Sequence, residues 1–110
     1  MTLDDALRLF QGIKQVDGEM PLQQFHCFLL IAAAEEGLSL SDLAKKADIG
    51  LATASRYVAA LGKINRHREE GLKLIEAFEN PMERRKKIIR LTPKGKLTLK
   101  KALGDMNANI

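Results

Sequence analysis

The sequence of 110 residues has little cysteine, tryptophan or proline: one, none and three residues, respectively. A single cysteine excludes an internal disulfide and a zinc site built from several thiolates. This residue, Cys27, lies between Phe25 and Phe28, so we expect a buried, inert thiol. The fold must therefore depend on an ordinary hydrophobic core, which a chain of this length can form as one domain.

Long apolar runs and export signals are also missing. The longest apolar stretch, residues 25–34, is interrupted by His26 and has about half of the roughly 20 residues that span a bilayer. The first ten residues carry Asp4 and Asp5 instead of a basic start and an apolar run. We therefore expect no membrane contact and a cytoplasmic location.

Catalytic and metal-binding patterns are sparse. His26 lies in an apolar stretch and His67 in a basic one, a separation that does not indicate shared metal ligation. Glu35 and Glu36 are typical of surface charges, and no glycine-rich phosphate loop is present. We expect no catalytic residue, no metal, no cofactor and no enzyme activity.

Charge is distributed unevenly along the chain. Residues 1–55 contain 4 basic and 8 acidic side chains, whereas residues 56–110 contain 14 basic and 6 acidic ones, for a total of +4. The basic half indicates a polyanionic partner. Nucleic acid is favoured over a membrane because the basic residues do not lie opposite an aromatic-rich apolar face.

Apolar spacing predicts two helices in the first third of the chain. The first lies within residues 1–18 and has Thr2 as its cap. The second begins with Pro21 at the first helical position and continues to Gly37, which suits a left-handed end. Because apolar residues surround this second helix, we expect it to be buried on several faces.

A helix-turn-helix pattern follows a short extended piece at residues 38–40. Ser41 is the predicted cap of a helix ending at Ala47, residues 48–50 form a tight turn with a glycine, and a second helix covers residues 51–64. The inward face of the second helix is predicted to consist of Ala54, Val58 and Leu61, with Ile64 as a candidate at its end.

The basic half predicts a β-hairpin and a final helix. Residues 72–78 and 85–91 have strand character, and the turn signal Asn80-Pro81 lies between them. Thr92 and Pro93 then cap and open a helix over residues 93–106. The predicted fold is mainly α with a small β-hairpin: a winged helix-turn-helix core at residues 21–92 between terminal helices.

The outward side of the 51–64 helix is built from small and polar residues. Such a surface fits a major groove about 12 Å wide. Arg56 is a candidate to read a guanine, while Thr53 or Ser55 would hold phosphates. The alternative is an ordinary surface of a helical pair. The candidate DNA-binding residues here are Ser41, Ala52, Thr53, Ser55 and Arg56.

A second basic cluster lies at the hairpin tip. Arginines at such a tip fit the narrow minor groove, where Glu83 would orient them. For Lys86 and Lys87 the competing interpretation is a solvated strand edge that discourages aggregation. The candidates at the tip are Glu83, Arg84, Arg85, Lys86 and Lys87, and Arg90 lies in the same cluster.

These residues carry a resemblance to a known family. Residues 80–85 (Asn-Pro-Met-Glu-Arg-Arg) and 89–95 (Ile-Arg-Leu-Thr-Pro-Lys-Gly) resemble the wing and wing exit of the multiple-antibiotic-resistance regulator (MarR) family, and residues 43–44 and 53–58 resemble its helix-turn-helix. The resemblance implies a winged helix, double-stranded DNA as ligand, and dimers with recognition helices in successive major grooves. By position, Glu83 replaces the family's aspartate and Arg85 is the wing arginine that it steadies.

The chain departs from the family in length and in one connection. In the family, longer terminal helices form the dimer interface and a ligand pocket beside it. We still expect a homodimer through the first and last helices of this chain, but no small-molecule effector pocket. The connection at residues 62–71 is longer than the family's and contains Lys63, Arg66 and Arg68. It either follows the phosphate backbone or is only a loop.

Three functions are compatible with these patterns. The first is a sequence-specific, double-stranded DNA-binding transcriptional regulator, with a recognition helix at about 51–64, a wing at about 78–90 and a nucleoid location when bound. The second is a winged-helix module that binds a polymerase or replication protein, since fold alone does not decide function. The third is a non-specific architectural DNA binder.

Overall fold

A computed structural model describes residues 2–63, 70–79, 82 and 87–103. Within these residues the chain forms helices and a small antiparallel sheet, as predicted. The helices are α1 (Leu3–Val16), α2 (Leu22–Ala33), α3 (Leu40–Ala47), α4 (Leu51–Leu61) and α5 (Pro93–Leu103), and the strands are β1 (Leu38–Ser39), β2 (Ile75–Glu79) and β3 (Lys87–Leu91).

Local capping signals determine where the terminal helices begin. Thr2 and Asp5 form a reciprocal capping box at the start of α1, which satisfies two otherwise free backbone donors. At the start of α5, the Thr92 hydroxyl accepts a hydrogen bond from the Gly95 N–H at 3.0 Å. Helices α1 and α5 pack together so closely that a Cβ on Gly12 would lie 2.5 Å from the Cβ of Ala102.

Helix α2 is shorter than the sequence predicts. Pro21 precedes the helix as its cap, and the helix ends at Ala33, not at Gly37. The Gly37 N–H instead donates to the Ala34 carbonyl at 2.9 Å, in a turn where Gly37 has φ +89°. This left-handed residue redirects the chain into β1, so the glycine serves a turn beyond the helix end.

The helix-turn-helix has a different cap from the predicted one. Ser39, not Ser41, accepts the Asp42 N–H at 3.1 Å, and α3 begins at Leu40. In the predicted turn at residues 48–50, Asp48 adopts the left-handed conformation with φ 56°, which aspartate tolerates better than most residues. Helix α4 ends at Leu61, three residues before the predicted end.

The sheet has three strands in the order β1-β3-β2. The hairpin prediction therefore misses β1, whose Leu38 pairs with Ile89. Strand β2 pairs with β3 from Ile75–Leu91 to Glu79–Lys87 and begins three residues after the predicted start. The turn signal Asn80-Pro81 lies outside the described residues.

The hydrophobic core joins all five helices to the sheet. The fully buried side chains include Phe28 and Ile31 of α2, Leu43 of α3, Leu61 of α4 and Leu74 before β2. Cys27 is also fully buried, and burial raises the pKa of its thiol, in agreement with the expected inert role. Among the described helices, none combines the length and apolarity needed to cross a membrane.

Candidate nucleic-acid interface

Helix α4 has one side fixed in the core. Ala54 and Leu61 are fully buried, and the Tyr57 hydroxyl donates to the Gln23 side chain of α2 at 3.1 Å. These contacts hold the helix at three points along its length. Its orientation on the body is therefore set, and the opposite side faces outward.

The outward side carries a cation among small residues. At 3.6 residues per turn, Ala52, Arg56 and Ala59 fall along one line, and Ala52 and Arg56 are exposed. An Arg56 guanidinium nitrogen donates to the Thr53 hydroxyl at 3.4 Å. Small neighbours let the helix approach another molecule closely, so that the arginine protrudes from a smooth surface.

A groove separates this side of α4 from α3 and β3. Ser41 and Lys45 of α3, Ser55 of α4 and Lys87 of β3 supply its polar wall. Its apolar lining includes Val58 and Ala77. Two lysines and one carboxylate, Asp42, line the groove, so its charge is positive on balance, and the serine hydroxyls add hydrogen-bond donors.

The two sides of the β2–β3 ribbon have different roles. Ala77 and Lys87 lie on the side that lines the groove beside α4. On the other side, the Arg90 Nε donates to Glu76 at 3.0 Å, and its guanidinium lies 4.1 Å from the Phe78 ring centroid. Arg90 thus stabilises the ribbon and is not brought to the groove.

The structure places seven of the candidate residues. Ser41, Ala52, Ser55, Arg56, Lys63 and Lys87 are exposed, and Thr53 is half-buried beside Arg56. Ser41, Ser55 and Lys87 meet in the groove. The remaining candidates lie outside the described residues: Arg66, Arg68, Glu83, Arg84, Arg85 and Lys86.

The two ends of the long connection after α4 are hydrogen-bonded to each other. The Gly71 N–H donates to the Lys63 carbonyl at 2.8 Å, and the Leu74 N–H donates to the Leu61 carbonyl at 2.8 Å. Residues 71–74 thereby satisfy carbonyls at the end of the helix. This use of the backbone explains why β2 begins at Ile75.

Lys73 is basic but already engaged. Its ammonium forms an ion pair with Glu70, and this hydrogen-bonded lysine lowers the pKa of the Glu70 carboxyl. The pair is exposed, so its contribution to stability is small. The charge of Lys73 is therefore already balanced within the chain.

The sequence prediction missed one residue of the groove, Lys45. Lys45 follows Ser41 by four positions, which places both on one side of α3. This spacing is a usable signal only when it is known that α3 faces the groove.

No protein-family model and no curated protein matches the chain. Solved structures do match. Rv1404 of Mycobacterium tuberculosis has a TM-score of 0.69 and 22% identity, over 88% of this chain and 60% of that one. A mutant of MepR from S. aureus, bound to an oligodeoxyribonucleotide, has a TM-score of 0.69 and 23% identity, over 90% and 65%.

MarR itself has a TM-score of 0.61 and 24% identity, over 84% of this chain and 61% of that one. These likenesses show that the chain has the winged-helix fold of MarR-family structures. The chain spans 60 to 65% of the length of these three chains.

Proposed function

We propose that the chain is a transcriptional regulator that binds double-stranded DNA in a sequence-specific manner. The observation that carries this proposal is the joint placement of two features: the outward side of α4, with Arg56 between small residues, and the groove of Ser41, Lys45, Ser55 and Lys87 beside it. One side of the molecule thus offers a group for base edges and several for phosphates.

Each group has a distinct task in this proposal. With α4 in the major groove, Arg56 donates two hydrogen bonds to a guanine. One DNA strand beside the major groove then lies along the protein groove between α4 and the β2–β3 ribbon. Its phosphates are bound there by the hydroxyls of Ser41 and Ser55 and by the ammonium groups of Lys45 and Lys87. Thr53 keeps the Arg56 side chain oriented through the bond described above.

The wing and the long connection extend these contacts. Arg84 and Arg85 enter the adjacent minor groove, with Glu83 orienting Arg85, and Lys86 binds phosphate. Lys63, Arg66 and Arg68 follow the backbone beyond the end of α4. The support is the position of the flanking residues: Lys87 lines the groove, and Lys63 is exposed just beyond the recognition helix.

The fold adds independent support. A MepR mutant, with which the chain shares this fold, has been solved bound to an oligodeoxyribonucleotide, which supports DNA as the ligand of this chain. Sequence specificity in the present chain rests on Arg56, since phosphate contacts alone carry no sequence information.

We also propose that the chain acts as a homodimer through α1 and α5. Leu3, Leu7 and Phe10 form an exposed apolar stripe on α1, and α5 exposes Leu97. Acidic residues lie in the first turn of α1 and basic ones in the last turn of α5. A two-fold contact that sets α1 of one copy on α5 of the other therefore pairs opposite charges and buries the stripe.

Sedimentation analysis tests the dimer. Leu7→Asp should yield monomers, because it places a charge within the stripe. Leu51→Asp is the matched control, since Leu51 has a similar exposure, 55% against 51%, but lies on α4. A Leu7→Asp protein that sediments like the parent would refute this interface.

Selection of duplexes from a random pool, followed by mobility-shift titration at fixed salt, tests DNA recognition. We expect an enriched motif and a steep loss of affinity with salt, as counterion release requires. Arg56→Ala should weaken binding to the motif by about 5- to 150-fold, corresponding to about 1 to 3 kcal/mol, and relax one base position.

Lys96→Ala is the matched control because it removes one positive charge from an exposed position on α5 beside Arg90, away from the groove. It should change affinity by less than about threefold, because salt screens charges that lie far from the DNA. An unenriched pool, or equal losses for Arg56→Ala and Lys96→Ala, would contradict sequence-specific recognition through α4.

A further inference from the structure

In the folded chain, residues 71–74 contact the end of α4 on one side and the start of α5 on the other. On the α4 side, the N–H groups of Leu72, Lys73 and Leu74 donate to the carbonyls of residues 60, 62 and 61, at 3.0, 2.8 and 2.8 Å. These bonds fasten the segment to the end of the recognition helix. Because β2 begins at the next residue, the position of this segment determines how the ribbon leaves the helix.

On the α5 side, one side chain makes the connection. The Thr92 hydroxyl donates to the Lys73 carbonyl at 2.7 Å and accepts from the Gly95 N–H at 3.0 Å. The Thr92 N–H donates to the Leu74 carbonyl at 3.0 Å. Thr92 therefore caps α5 and also holds the segment that carries the ribbon.

The backbone at Lys73 needs such a restraint. Lys73 has φ 59°, a left-handed conformation that is unfavourable for a side chain with a Cβ and persists where surrounding contacts fix it. Its carbonyl accepts the Thr92 hydroxyl directly. The neighbouring Lys94 ammonium donates to the Leu72 carbonyl at 3.0 Å and reinforces the same connection.

We propose that Thr92 is a positioning residue for DNA recognition: its hydroxyl fixes the β2–β3 ribbon relative to the recognition helix. The DNA-binding part of this inference rests on the function proposed above, whereas the positioning part does not. A duplex presents its two grooves at a fixed separation, so a ribbon that moves relative to α4 spends less time in the binding arrangement. Apparent affinity falls in proportion to that fraction.

The two tasks of Thr92 separate by substitution, because a hydroxyl accepts and donates at once. Thr92→Ser keeps both tasks. Thr92→Asp keeps the helix cap, since its carboxylate accepts the Gly95 N–H, but has no proton for the Lys73 carbonyl. Thr92→Val keeps the shape and loses both.

Amide hydrogen exchange by NMR reads the positioning directly and needs no DNA. In Thr92→Asp and Thr92→Val, the amides of residues 72–74 should exchange roughly tenfold faster than in the parent. The Gly95 amide should lose protection only in Thr92→Val. Thr92→Ser should restore the parent pattern at both places.

DNA titration with the selected duplex then tests the functional part. Affinity should fall about tenfold for both Thr92→Asp and Thr92→Val if the binding arrangement drops to about one tenth, and Thr92→Ser should match the parent. A Thr92→Asp protein with unchanged exchange at residues 72–74 would reduce Thr92 to a helix cap and overturn the inference.

Faster amide exchange at residues 72–74 together with unchanged DNA affinity would overturn only the claim that Thr92 contributes to DNA binding. If the parent itself does not bind any duplex, the proposed function fails. The exchange pattern still decides whether Thr92 positions the ribbon.

Discussion

Gly95 provides a stability test of the contact between α5 and the segment before β2. A Cβ at this position would lie 2.0 Å from the Leu74 carbonyl oxygen, whereas carbon and oxygen in contact stay about 3.3 to 3.6 Å apart. Gly95→Ala therefore requires a shift of more than about 1 Å. The obstacle is backbone, so no side-chain rotation relieves it.

The cost has two parts. Overpacking of this kind costs about 1 to 3 kcal/mol. The shift also stretches the 3.0 Å bond from the Thr92 N–H to the Leu74 carbonyl, and an unsatisfied buried acceptor costs a further 1 to 3 kcal/mol or so. Alanine regains up to about 1 kcal/mol in a helix. We expect a net loss of about 3 kcal/mol of unfolding free energy.

Chemical denaturation monitored by circular dichroism measures this loss, and thermal unfolding should show a midpoint lower by about 10 °C. Gly18→Ala is the control, because its Cβ would meet only the Lys14 carbonyl at an ordinary 3.5 Å. It should change stability by less than about 0.5 kcal/mol. A Gly95→Ala protein as stable as the parent would refute the close approach of α5.

Two further predictions concern Cys27 and the long connection. Because burial raises the pKa of the Cys27 thiol from its ordinary value of 9.0, a disulfide reagent at pH 8 should modify it slowly in the native protein and rapidly in denaturant. Because the unfolded chain loses the thiol proton at a lower pH than the folded protein, the free energy of unfolding should fall as pH rises above 9.0. Rapid labelling of the native protein would contradict both the slow reaction and this pH dependence. Replacing residues 64–69 with two glycines should change the free energy of unfolding by less than about 1 kcal/mol, because the Gly71 N–H already bonds the Lys63 carbonyl. The same replacement should weaken DNA binding equally for all sequences. Loss of folding would contradict the role of this hydrogen bond in closing the connection.

Sequence signals succeeded where the determining contacts are local. Thr2 as a cap and the Thr92-Pro93 pair located the starts of α1 and α5, because the groups that satisfy a helix start lie within three residues. The buried positions of α4, Ala54 and Leu61, followed from helical periodicity alone.

The misplaced boundaries depend on distant partners. Ser39 and Ser41 are equally good caps in isolation, and the helix begins after Ser39 because Leu38 pairs with Ile89, about fifty positions away. Residues 72–74 have strand character, but the carbonyls of α4 use their N–H groups. Neither pairing leaves a local pattern in the sequence.

The candidate site shows the same division. Arg56 and its neighbours were identified because helical periodicity assigns an outward side. Lys45 was missed because its place in the groove depends on how α3 packs beside β3. Arg90 looked equivalent to its basic neighbours, and only the cross-strand register places it opposite Glu76 and within reach of the Phe78 ring.

An NMR titration of the ¹⁵N-labelled chain with the selected duplex tests most directly whether the α4 side binds DNA. We expect the largest shift changes at Ser41, Ser55, Arg56 and Lys87, and small changes at Glu76 on the far side of the ribbon. Changes concentrated on Glu76 or on the outward residues of α1 and α5, with Arg56 unaffected, would contradict recognition through α4.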